Sequence, residues 1–120
     1  MVKVGVQLMK QINWSEFEQV ELRIGTIIKV EDFPEAKKPA FKLWISFDEP
    51  LGVKKSSAQI TKLYSKASLI GKQVLCVVNF PPKQIANFSS EVLTTGFVTE
   101  NGEVVLAIPE RKVKNGLKLM

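Results

Sequence analysis

Few side chains in this sequence can do chemistry, and the combinations that are missing narrow what it does. The 120 residues contain no histidine and one cysteine, Cys76. A zinc site built from Cys and His is excluded, because it needs three or four such ligands. Ser-His-Asp and Cys-His nucleophiles are excluded too, since both need an imidazole to take the proton. Acidic residues come together as the sequence neighbours Glu31-Asp32 and Asp48-Glu49. Neighbours on a strand point to opposite faces, so neither pair converges as an acid and a base. The seven glycines are scattered and form no phosphate-cradling loop. What remains is binding chemistry, with no catalytic residue, metal or cofactor expected.

The cations are the first binding candidates. Seventeen basic side chains against twelve acidic ones leave a net charge of +5. Residues 1–50 carry seven basic and eight acidic side chains, and residues 51–120 carry ten and four. A basic half suits an anionic partner such as nucleic acid, and it equally suits a solvated lysine surface. Only Arg23 and Arg111 are arginines, and bidentate base readout favours arginine, so contacts to nucleic acid are expected mainly at phosphate. The run Lys54-Lys55-Ser56-Ser57 offers two cations and two hydroxyls to a phosphate or sugar; the alternative is a strand edge guarded by lysine. Lys37, Lys38 and Lys42 either extend that track or solubilise a loop. Arg23 joins a binding surface or pairs with a neighbour such as Glu21.

Period-two and period-3.6 patterns give the elements that position these groups. Asn13, with Glu16 three residues on, predicts a capped helical turn with Trp14 and Phe17 on one face. From Glu21 the pattern alternates, with Leu22, Ile24, Ile28 and Val30 on one side and Gly25 marking a bend or bulge. After a loop with two prolines, Phe41–Phe47 reads as a second strand with Phe41, Leu43, Ile45 and Phe47 inward. Trp44 points outward, to stack a ligand, to pack under the Trp14 turn, or to lie in a subunit interface, the last being preferred. Val53–Ile60 is a third strand. Leu63, Ala67 and Ile70 predict a helix over 61–70, ended by Gly71. A fourth strand over 72–80 holds Cys76 as a small buried hydrophobe and stops at Pro81-Pro82. A fifth covers 91–99, and Asn101-Gly102 predicts a hairpin into Val104–Leu106. The prolines 81 and 82 with Ile85 and Phe88 form an apolar ridge or fold back onto the core, the latter favoured for Phe88.

The order strand-strand-strand-helix-strand-strand is that of an all-β oligonucleotide/oligosaccharide-binding barrel. Five to six strands, a short helix between strands three and four, and a short N-terminal helix are expected. The length suits one domain over 13–120 with an extension, a tail or an added strand, over 1–12. The N-terminus lacks a continuous apolar core and a small-residue cleavage site, no run approaches a membrane span, and the lone cysteine suits a reducing compartment. A cytoplasmic location without membrane insertion is expected.

Several strings then carry a resemblance. Glu21-Leu22-Arg23-Ile24-Gly25-Thr26-Ile27 resembles the opening strand of the tRNA-binding domain family, with Glu where the family has Asp. Phe33-Pro34-Glu35-Ala36-Lys37-Lys38 is similar to its following loop. The stretches 37–43, 52–61 and 78–85, with Ser90-Glu91-Val92-Leu93, resemble the export-related chaperone branch of that family. The resemblance covers about Phe17 to Leu119 and implies the barrel already inferred, a homodimer, and binding of unfolded or preprotein segments or of tRNA. It also implies dealings with protein-export machinery, and neither cofactor nor catalysis. It adds Lys83, Ser90 and Glu91 to the ligand-binding candidates Arg23, Lys37, Lys38, Lys42, Lys54, Lys55, Ser56 and Ser57. For the dimer interface Trp14, Phe17, Trp44, Phe80, Pro81 and Pro82 are the candidates.

Overall fold

The computed structural model describes residues 9–120, and its first element is the predicted capped turn. The Glu16 N–H donates to Asn13 Oδ1 at 2.9 Å, and the Asn13 N–H donates to Glu16 Oε1 at 3.0 Å. These bonds start helix α1 (Trp14–Glu18), which is too short to persist alone. Asn79 holds its far end, donating from Nδ2 to Gln19 O at 2.7 Å and accepting the Glu21 N–H at 3.0 Å. The extension expected over 1–12 lies, as far as residue 8, outside the described residues.

Strand β1 (Leu22–Asp32) is the axis of the barrel. Its first half pairs with β4 (Gln73–Val77) and its second half with β2 (Phe41–Ser46), which pairs in turn with β3 (Val53–Ala58). With β7 (Leu93–Thr94) on β4, the strand order is β3-β2-β1-β4-β7, a nearly closed five-stranded barrel. The expected alternation along β1 holds only in part. Gly25 and Ile27 already point into the barrel, Ile28 is exposed, and a bulge between Ile27 and Lys29 then shifts the phase so that Val30 packs against the core. Gly25 is not the bulge. A Cβ there would lie 2.5 Å from Ile45 Cγ2 and 2.8 Å from a Phe47 ring carbon, so glycine is required by close packing across the barrel.

Phe41, Leu43, Ile45 and Phe47 do point inward, with Ile27, Val74 and Cys76, into the main core. The helix expected over 61–70 shrinks to α2 (Lys66–Leu69) because Ser65 caps it, its Oγ accepting the Ser68 N–H at 3.1 Å. Leu69 is its one buried residue and packs into the core, while Leu63, Ala67 and Ile70 are exposed. The stretch 83–90, for which no strand is expected, forms a hairpin of β5 (Lys83–Ile85) and β6 (Phe88–Ser90). Its turn uses Ala86 at φ 50° instead of glycine, which hides the hairpin from turn chemistry. The fifth strand breaks in two at Thr95, whose N–H and Oγ1 both donate to Leu75 O while its own carbonyl accepts the Ala107 N–H. Beyond it β8 (Gly96–Val98) and β9 (Val104–Leu106) form the hairpin predicted at Asn101-Gly102, with Gly102 at φ 78°.

The segment 113–119 straps the free edge of β1's first half. The Ile24 N–H donates to Leu117 O at 3.0 Å, the Gly116 N–H to Ile24 O at 2.7 Å and the Leu119 N–H to Leu22 O at 2.9 Å. Glu21 clamps this strap, meeting Arg23 at 2.9 Å and Lys118 at 3.1 Å. Hydrogen bonds from Arg23 and then Lys118 hold the Glu21 carboxyl below the usual carboxylate range.

Gly25→Ala is expected to cost about 1–3 kcal/mol through overpacking, read by urea denaturation. Because the Glu21 pKa is lowered on folding, its contribution is complete above the ordinary carboxylate range and fades as pH falls through the folded value. Amide-exchange protection at Gly116 and Leu119 is therefore expected to drop on acidification, ahead of the protection of Leu43, and Glu21→Gln is expected to remove that pH dependence.

Candidate functional site

The bulge in β1 and the register of β1, β2 and β3 gather cations on the outer face of the sheet. Lys29 lies opposite Trp44, and Trp44 opposite Lys55. The Lys29 Nζ sits 4.4 Å from the Trp44 ring centroid. Phe33 from the β1–β2 loop and Phe88 from β6 fold onto the same face, edge to face at 5.5 Å, with Ala40 in the same cluster. The Lys42 Nζ is 5.5 Å from the Phe33 ring and 5.8 Å from Phe88, and the Lys55 Nζ is 5.3 Å from Phe88. Each ammonium thus lies over an aromatic face, where ring quadrupoles favour a cation. Glu31 offsets part of the charge, at 3.2 Å from Lys29 and 3.5 Å from Lys42. The Lys29 hydrogen bond, with the charge of Lys42 beside it, holds its carboxyl below the usual range.

This surface suits phosphate more than bases. Phe33 and Phe88 are buried, and Trp44 meets Phe88 edge-on at 5.7 Å while Lys29 covers it, which leaves no open stacking platform. Trp44 therefore packs on Phe88, and not under the Trp14 turn. Phe88 folds back as expected.

The structure sorts the other candidates. Lys54 lies opposite Ile45 and Ser56 opposite Leu43, both inward residues, so Lys54 and Lys55 face opposite sides of β3. Ser56 is a correction: it is fully buried, and its Oγ bonds Thr94 Oγ1 at 2.8 Å, so it is out of a ligand's reach. Arg23 is six residues along β1 from Lys29 and is engaged by Glu21 and by Gly116 O, away from the lysine face. Lys37 and Lys38 are exposed on the β1–β2 loop. Ser90 and Glu91 fix the barrel seam. The Ser57 N–H donates to Ser90 Oγ at 3.0 Å, and the Lys55 N–H to Glu91 Oε1 at 2.8 Å. Lys55 O accepts the Glu91 N–H at 2.8 Å and the Val92 N–H at 3.2 Å.

Beside this seam lies a second feature, an open groove of about 620 Å³ with Ser57, Lys83, Ser90 and Glu91 on its wall. Its apolar lining comes from Ile60, Phe80, Pro81, Ile85, Val92 and Val98. Val98 is 74% exposed and its neighbour Phe97 68%, so the β8 side of the groove is unusually apolar for a surface. Pro82 is exposed next to it. Trp14 and Phe17 instead line a smaller cleft of about 190 Å³ with Lys118, Leu119 and Met120. Sequence reasoning missed Lys29, which the bulge turns outward, and Val98, whose alternation signals a strand but not an open edge. Cys76 is fully buried, and burial pushes its thiol up to about 12.

Comparison with known proteins agrees with this geometry. A family model described as "Putative tRNA binding domain" matches residues 22–118. The chain belongs to this family. Its relatives include the methionine–tRNA ligases of Pyrococcus furiosus and Methanocaldococcus jannaschii, each 30% identical. These matches cover 98% and 96% of this chain but only 16% and 17% of the ligases, so the chain spans about a sixth of their length. Solved structures give likenesses over whole chains. The chaperone CsaA from Bacillus anthracis has 50% identity and a TM-score of 0.87, over 92% of this chain and 100% of that one. CsaA from Picrophilus torridus has 49% identity and a TM-score of 0.86 over the same shares. The expected chaperone branch is thus the CsaA branch.

The seam yields a prediction. Glu91→Ala removes the acceptor of the part-buried Lys55 N–H and is expected to cost about 1–3 kcal/mol in chemical denaturation, whereas Glu91→Gln, which keeps an oxygen acceptor, is expected to cost less.

Proposed function

We propose that this domain is a non-catalytic chaperone of CsaA type, a cytoplasmic homodimer that holds unfolded or preprotein segments and passes them to export machinery. The observation carrying this reading is the open apolar groove beside β3, supported by the whole-chain likeness to CsaA chaperones. Exposed apolar residues around a cleft are what a binder of unfolded chain needs, because such segments present apolar side chains and unpaired backbone. For the dimer, the candidate contacts are Trp14 and Phe17 by residues 118–120, together with Pro82, whereas Phe80 and Pro81, expected at the same interface, line the groove assigned to the client. Asn79 joins these two regions by bonding the end of α1. Trp44 is less suited, being covered by Lys29.

A second reading is favoured by the lysine face. Lys29, Lys42 and Lys55 offer phosphate contacts, and Lys37 and Lys38 on the adjoining loop extend the positive surface, so tRNA is the alternative ligand.

Three measurements test these readings. Light scattering is expected to give twice the chain mass; a single chain mass removes the dimer. Stoichiometric domain is expected to slow the aggregation of a chemically unfolded client, and no effect counts against the chaperone. Binding of total tRNA is expected to weaken with salt, and Lys42→Glu with Lys55→Glu to reduce the log–log salt slope by roughly one for each phosphate no longer neutralised. Client protection is expected to survive those two substitutions, since neither residue lines the groove.

A further inference from the structure

The groove is bounded on two sides by strand edges that carry backbone groups with no partner among the described residues. On β3, Ser57 gives its N–H to Ser90 Oγ, so its carbonyl also points away from β2, and the same parity continued aims the Gln59 N–H that way. Neither the Ser57 carbonyl nor the Gln59 N–H has a hydrogen-bond partner among the described residues. Across the groove, the bonds from Ala107 N–H to Thr95 O at 3.1 Å and from Thr99 N–H to Glu103 O at 2.8 Å set the ladder parity of the β8–β9 hairpin. Odd-numbered residues of β8 face β9, so the backbone groups of Gly96 and Val98 point outward. Ser57, Gln59, Gly96 and Val98 all line the same groove, and β3 and β8 do not pair with each other.

We infer that the groove is a strand-addition slot that takes an extended polypeptide between β3 and β8. The inference rests on the polypeptide-binding reading above and adds the mode of recognition. An extended backbone presents N–H and C=O groups alternately to its two sides, which is what two facing edges need. A nucleic acid lacks that alternating pattern. Charge selects the segment further. Lys83 lies on the groove wall and is exposed, and it pairs with no carboxylate among the described residues. The favoured occupant is a segment of about five or six residues, apolar at alternate positions, with an acidic side chain beside Lys83.

The test uses the full chain and a fluorescein-labelled peptide of sequence Glu-Val-Thr-Val-Thr-Val, read by anisotropy. Each N-methyl group placed on a central amide is expected to lower affinity roughly fivefold to tenfold, as for a lost hydrogen bond. Lys83→Glu is expected to weaken the peptide several-fold, and Lys in place of the peptide's Glu to restore binding to that variant. If N-methylated peptides bind as well as the parent, strand addition is wrong while the polypeptide-binding reading stands. If neither this peptide nor an unfolded client binds, both fail. If Lys83→Glu weakens total tRNA and leaves the peptide unchanged, the groove belongs to nucleic acid and the inference is overturned.

Discussion

The barrel closes largely through side chains. Between β3 and β7 no ladder forms among the described residues, and the seam is made by Glu91 taking the Lys55 N–H, Ser90 taking the Ser57 N–H and Ser56 bonding Thr94, with Lys55 O accepting the Glu91 and Val92 N–H groups. A carboxylate accepting a backbone N–H is a charge-assisted bond, stronger than the ladder bond it replaces. Its reach allows the two edges to stand apart. Much of the remaining surface depends on that separation. The β5–β6 hairpin enters the seam at Ser90 and carries Phe88 over the outer face of β2, which builds the small aromatic cluster beneath the lysines. Past Ser57 no bond among the described residues spans the gap, and the groove opens there.

Strand β3 therefore serves two surfaces at once. Lys55 projects to the lysine face, while the backbone at Ser57 and Gln59 borders the groove. The faces differ in chemistry: one is cationic with its aromatics covered, the other apolar with its backbone open. Both faces rest on the same core, in which Leu43, Ile45 and Val74 lie fully buried.

The core strands were legible because their alternation reports burial directly. Phe41, Leu43, Ile45 and Phe47 follow a clean period of two, and Asn101-Gly102 supplies the backbone freedom its turn needs. The misreadings share a physical origin. In β1, Ile27 proved inward and Ile28 outward, against the expected alternation, while the extra residue kept Lys29 and Val30 on their expected sides, and a bulge leaves no mark on composition. Ala86 in a left-handed conformation concealed a hairpin, since glycine is the usual residue at the first position of such a turn. Lys54 and Lys55 read as one cationic pair, although strand geometry sends them apart. Ser56 looked like surface because serine is polar, and only Thr94, thirty-eight residues away in sequence, makes it an inward group.

The single thiol bears on the proposed handling of unfolded chains. Clients in that state expose their own cysteines, and a partner with an accessible thiolate would be captured in mixed disulfides. Cys76 lies between Leu75 and Val77 in the middle of the barrel wall, fully buried, with its thiol held protonated at neutral pH. Exchange requires the folded barrel to open first. Under the proposed function, encounters with a client would therefore stay noncovalent and reversible across a range of redox conditions, and release would depend on the affinity of the bound segment alone.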